Sequence, residues 1–141
     1  MKKTITLALL ATVVIGTMSF NILNSDGKAG YTNSPGESNC TSCHAGTVNS
    51  GGGSIIITSI PSLAQGYIPS TVYTMTATVS QTGITLFGVD IEALFASCAN
   101  GGTLAITDAN LTKMLTKTVN SNVRDNVVHT GNNNVGPDSQ L

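Results

Sequence analysis

The sequence predicts an all-β fold: an antiparallel β-sandwich of five or six short strands in one domain. Three observations point there. Thr, Ser, Asn and Gly make up 62 of the 141 residues, a composition of β-branched strand positions and tight turns. Apolar residues beyond residue 30 recur with period two, and no stretch there keeps a helical period over 11 residues. Charged residues are 9% of the chain, aromatics 4%, and Trp is absent. A helical bundle wants more Ala, Leu, Glu and Lys than this, and a nucleic-acid binder needs a basic patch to neutralise phosphates, so no nucleic-acid partner is expected. A chain of this length has room for one modest core.

Taken in order, Lys2 and Lys3 precede an apolar run from Thr4 to about Met18, the pattern of a secretory signal peptide. Gly27 and Ala29 stand at −3 and −1 of a cut after Ala29, which makes residues 1–29 the leader. Thr17 and Ser19 offer the same spacing for a cut after Ser19. No Cys follows the apolar run, so a bacterial lipid anchor is not expected. The competing reading is an uncleaved membrane anchor over Thr4 to Leu23, but Ser19, Asn21 and Asn24 polarise its far end. A cleaved leader leaves no stable membrane span and places the protein in the periplasm, at the cell surface or outside the cell. The mature chain then carries Lys113, Lys117 and Arg124 against six acidic residues, a weak negative charge that names no charged partner.

Residues 30–53 lack periodicity and read as a loop. Ser54 to Ile60, ended by Pro61, reads as a strand. Thr71 to Ser80 alternates, with Tyr73, Met75, Ala77 and Val79 on one face. Gln81-Thr82-Gly83 turns into Phe87 to Ala96, where Phe87, Val89, Ile91, Ala93 and Phe95 point inward and Gly88, Asp90 and Glu92 outward. Asn100-Gly101-Gly102 signals a hairpin into Thr103–Thr107, because Asn-Gly tolerates the positive φ of primed turns. Leu111 to Val119 is ambiguous, and Val123 to Thr130 reads as the last strand. The sandwich thus covers residues 54–131, and 132–141 form a polar tail or a truncated end.

The chemistry sits in Cys40-Thr41-Ser42-Cys43-His44. C-x-x-C-H is the attachment signature of c-type haem: two thiols two residues apart reach the two vinyl groups of one porphyrin, and the next residue faces the iron. The expectation is one covalent haem c, with Cys40 and Cys43 as thioethers and His44 as proximal ligand. His129 is the candidate distal ligand, since Met75 and Met114 are the only thioethers left after leader removal and Met75 lies on an inward face. Three alternatives compete. Cys40 and Cys43 could pair as a disulfide. With His44 and His129 they could bind zinc, although adjacent Cys43 and His44 suit one tetrahedral ion poorly. An open sixth site would suit a peroxidase or sensor. Cys98 reads as a small packing residue or an intermolecular thiol. Asp90 and Glu92 read as solubilising surface carboxylates. The sequence contains no Ser-His-Asp arrangement and no phosphate loop, so no substrate-converting site is legible.

Gly30-Tyr31-Thr32-Asn33-Ser34-Pro35-Gly36-Glu37, followed by Asn39-Cys40-Thr41-Ser42-Cys43-His44, resembles the opening of the choice-of-anchor V domain of secreted bacterial proteins, common among Bacteroidetes. The stretch from Ile60-Pro61 to Tyr67-Ile68-Pro69, the Phe87-Gly88-Val89 run and Val128-His129-Thr130-Gly131 fit the same pattern, which covers about residues 30–131. The resemblance implies a reeler-like, immunoglobulin-like sandwich, a c-type haem and a secreted or surface location. It supplies no reaction. Members usually continue with Trp-containing sequence after the His-Thr segment. This chain has none, which implies a truncated sandwich or a sheet completed by another chain through an open edge. Two functions follow as expectations: electron transfer to an unidentified redox partner protein at the cell envelope or surface, or a haem-independent extracellular binding or adhesion module.

Overall fold

In the computed structural model the described residues are 26–131 together with the strand backbone of 138–140. The Lys2–Met18 leader pattern and the Thr4–Leu23 anchor reading lie outside them, as do residues 132–137. The fold is all-β. Its strands are β1 (Ser54–Ile60), β2 (Thr74–Ser80), β3 (Asp90–Ile91), β4 (Thr112–Val119), β5 (Asn122–His129) and β6 (Asp138–Gln140). They form two antiparallel three-stranded sheets, ordered β1-β2-β6 and β3-β5-β4. Among the described residues no helix is long and apolar enough to cross a membrane.

In the first sheet β1 follows its sequence pattern and β2 begins at Thr74 rather than Thr71, whereas β6, paired to β2 through Thr78↔Gln140 to Ser80↔Asp138, falls in the 132–141 segment expected as a polar tail. β1 has the expected boundaries and pairs from Ser54↔Ser80 to Ile60↔Thr74. Its burial does not match a sandwich strand, however. Ile55, Ile56 and Ile57 are all more than half exposed, so among the described residues neither face of β1 is covered as in two stacked sheets. Met75, expected inward, is 47% exposed, whereas Ala77 two residues on is buried.

The second sheet is built on the β4–β5 hairpin. Val119 faces Asn122 across a two-residue turn in which Asn120 has φ 48° and Ser121 φ 68°. Two successive left-handed residues make the type I′ turn that matches strand twist. This turn settles the ambiguous Leu111–Val119 segment as a strand. β5 buries Arg124, Asn126 and Val128 on one face. Two of its three inward residues are therefore polar, in a strand whose apolar signal came from Val127 and Val128.

Three local expectations are corrected here. The strand expected over Phe87–Ala96 contracts to Asp90–Ile91, with Phe95 47% exposed and Ala93 also exposed. The hairpin expected at Asn100-Gly101-Gly102 closes earlier: Cys98 N–H donates to Phe95 O, Phe95 N–H to Ala99 O, and Leu94 bridges Asn100. Gly101 instead serves close approach, since a Cβ there would lie 3.2 Å from the Leu94 carbonyl carbon. The Asn100 amide clamps β5 by donating to Asp125 Oδ2 and accepting from Asp125 N–H. Without that turn, Thr103–Thr107 forms no strand. The third correction concerns Asp90 and Glu92. They face inward: the Glu92 side chain is 3% exposed, and Asp90 accepts from the Asn126 amide.

The chain N-terminal to the cysteine motif packs onto this second sheet. Gly27 N–H donates to His129 O, Tyr31 N–H to Asp90 Oδ2, and Ala29 is buried.

Candidate functional site

The segment before the cysteines is a held loop. Glu37 N–H donates to Ser34 O across Pro35-Gly36, and Gly36 has φ 88°. Pro at the second position and a left-handed Gly at the third make this a type II turn. A Cβ on Gly36 would lie 2.6 Å from Asn120 Nδ2 and 2.9 Å from Val119 Cγ1, so the turn seats directly on the tip of the β4–β5 hairpin.

Arg124 holds that turn from inside. Its Nη2 donates to Pro35 O at 2.9 Å and its Nε to Cys98 O at 3.1 Å. Its Nη1 lies 3.6 Å from Glu37 Oε1 and 3.7 Å from Glu92 Oε1, a charge pairing beyond hydrogen-bond length. The Arg124 and Glu37 side chains are fully buried. Thr32 Oγ1 lies 2.7 Å from Glu37 Oε2 and 2.8 Å from Glu92 Oε1, so one hydroxyl links the two carboxyls. Asp90 stands in the same negative surroundings. Burial, with the nearby Glu37 and Glu92 charges, pushes its carboxyl above the ordinary range, against the pull of the Tyr31 and Asn126 hydrogen bonds.

Three residues after Glu37 the chain enters a single 3₁₀ turn, Cys40–Ser42. Asn39 caps it: Asn39 Oδ1 accepts from Thr41 N–H at 2.9 Å and from Thr41 Oγ1. Cys43 N–H and His44 N–H both donate to Cys40 O. Cys43 follows as the C-cap of the turn, three residues after Cys40. Cys40, Cys43 and His44 are exposed, and both thiols are free. The donor set suits covalent haem attachment: two accessible thiols on one turn, followed by an accessible imidazole. Next to the turn lies a groove of ≈ 250 Å³ lined by Tyr31, Glu37, Ser38, Lys117 and Asn120. Its polar walls are not those of a porphyrin pocket, so retention would depend on the thioethers.

His129 is placed elsewhere. It ends β5, five residues beyond Arg124, or about 17 Å at strand rise. Its Nδ1 lies 3.1 Å from Val89 N and 3.2 Å from Val89 O, and its ring packs against Gly88. Among the described residues no group of three or more His, Cys, Asp or Glu side chains gathers with metal-holding geometry, so Cys40, Cys43, His44 and His129 do not assemble a zinc site. Cys98 lies in the 95–99 turn with φ 66° and takes part through its carbonyl.

Sequence reasoning did not anticipate Arg124. An isolated Arg in a polar strand is scored as surface charge. The only sequence signal was its alternation with Asn126 and Val128 on one face.

Comparisons with protein-family models, with curated proteins and with solved structures found no match for this chain.

Proposed function

We propose that this chain is an exported c-type haem protein that transfers electrons at the cell envelope or surface, with Cys40 and Cys43 as the attachment thiols and His44 as proximal ligand. The observation that supports it most is the presentation of the motif. A capped single turn offers two free thiols and an imidazole to solvent, and it hangs from a loop clamped by a buried arginine. When bound, haem supplies one-electron chemistry at iron. The chain's own residues present the ligands. Asn39 starts the turn, and Pro35-Gly36 with Arg124 fixes where it starts. The similarity of residues 30–44 to the choice-of-anchor V opening points the same way, as does the leader pattern that would carry the chain to a compartment where such haem is attached. In this reading the two sheets belong to a reeler-like sandwich.

His129 as sixth ligand is the finer part of the proposal. It requires the motif to return along β5 to the His129 end.

The deciding experiment is an absorption spectrum of the protein exported in a host with c-haem maturation machinery, beside a Cys40→Ala, Cys43→Ala control. The expected result is a Soret band that stays with the denatured polypeptide and is lost in the control. A folded protein without haem overturns the proposal. His129→Ala is then read in the same spectrum. A change from low spin to high spin supports distal ligation, and an unchanged spectrum removes it.

A second reading, an extracellular binding or adhesion module, is favoured by one specific feature. β1 is an edge strand among those described, carries no charge, and exposes Ile55, Ile56, Ile57 and Ile60 at 54–78%. Such an edge is a template for strand addition, including by a second copy. This function would survive loss of both motif cysteines, whereas electron transfer would not.

A further inference from the structure

We propose that export processing removes the leader upstream of Asp26, between Ser19 and Phe20, so that residues 26–29 remain in the mature protein as a structural latch on the second sheet. The inference rests on reading the N-terminus as an export leader, and it moves the cut from the Gly27/Ala29 pair to the Thr17/Ser19 pair. The step is a peptide hydrolysis: water adds across the Ser19–Phe20 bond, leaving a carboxylate on Ser19 and an amine on Phe20.

The latch has four parts. Asp26 pairs with the Lys113 ammonium on β4 and accepts Gly131 N–H at 3.0 Å. Gly27 N–H donates to His129 O at 3.0 Å, capping the end of β5. Gly27 also lies so close that a Cβ would fall 2.5 Å from His129 O and 2.6 Å from Val128 Cβ, against a Val128 that is 0% exposed. Ala29 is 8% exposed.

A cut after Ala29 would remove all four. It would uncover Val128, leave the His129 carbonyl without its donor, and place a new α-ammonium on Gly30 beside Lys117, whose Cγ would lie 3.0 Å from a Cβ at Gly30. The sequence agrees. Ser19 directly follows the apolar run that ends near Met18, whereas Ala29 lies 11 residues beyond it.

The test is the N-terminal sequence and intact mass of the full chain after export in a bacterial host. A first residue of Phe20 is expected, and Ser19→Leu should leave the precursor uncut. A mature protein beginning at Gly30 overturns the proposal. Retention of the whole leader overturns it too, and it alone also sinks the leader reading, so the two failures are distinguishable. A second measurement compares thermal midpoints of chains begun at Phe20 and at Gly30. The longer chain should unfold at least about 4 °C higher, and equal midpoints would remove the latch argument.

Discussion

Burying a guanidinium is costly unless charge and hydrogen bonds meet it inside the protein. Arg124 meets the first fully and the second in part: Nε and Nη2 donate to two backbone carbonyls, while Nη1 stands at ion-pair distance from two buried carboxylates without a hydrogen bond of its own. Removing it strands Glu37 and Glu92 away from water. Arg124→Met is therefore expected to destabilise the fold by about 3–5 kcal/mol, measured by denaturant unfolding. Arg124→Lys should recover little of this, because one ammonium cannot reach both carbonyls in fork geometry. Asp90 gives a pH signature. Burial holds its folded carboxyl above the ordinary Asp value of 3.8, so the folded state holds that proton more tightly than the unfolded chain. Its contribution is unfavourable above the raised value and is relieved as pH falls from there toward 3.8. Asp26 has the opposite sign. Its bond to Lys113 lowers its carboxyl, and the stability this contributes is lost as pH falls below 3.8. Plotting unfolding midpoint against pH for the wild type and Asp90→Asn checks this. The variant should lack the acid-side gain between neutral pH and 3.8, and parallel curves would refute it.

At the scale of elements, two turns place the motif. The type II turn at Pro35-Gly36 sits on the tip of the β4–β5 hairpin, and that hairpin closes through two left-handed residues. Gly36→Ala adds a methyl group where the backbone and the Val119 and Asn120 side chains forbid it. It is expected to cost more than about 1 kcal/mol and to raise hydrogen exchange across 32–39 before it affects β1 and β2. Ser121→Gly relieves a left-handed non-glycine at φ 68°. It should stabilise by roughly 0.5–1 kcal/mol in the same unfolding assay. Such turns were only partly legible beforehand. Pro-Gly carries its turn type on its face, and so Ser34–Glu37 folds as its residues suggest. Asn120-Ser121 does not, because Ser has no general preference for positive φ. Asn100-Gly101 misled for the converse reason: its glycine answers a close backbone approach from Ala93 and Leu94, and its asparagine a clamp on Asp125, neither of which is local.

At the scale of the molecule, the two sheets divide the labour. The β3-β5-β4 sheet holds the polar core and positions the cysteine turn. The β1-β2-β6 sheet exposes isoleucines on both faces of its edge strand. If the exposed β1 edge carries self-association, Ile56→Lys with Ile60→Lys should suppress it in sedimentation velocity while leaving the Soret band proposed above unchanged, since neither residue bonds to the cysteine turn. If association is unaffected, the β1 edge is not its route.

The sequence by itself determined the all-β class, the bounds of β1, and most of β2 and β5. Each of these depends on neighbours within a few residues: side-chain alternation, or Pro and Gly backbone limits. Only the tertiary structure decided which carboxylates were buried, that an arginine would occupy the centre of the core, and that residues 26–29 belong to the fold. Those outcomes join residues 59–105 positions apart, such as Tyr31 with Asp90, Pro35 with Arg124 and Asp26 with Gly131. A charge is hydrophilic in the sequence whatever lies opposite it in space, and whether it can be buried depends on partners that only folding brings together.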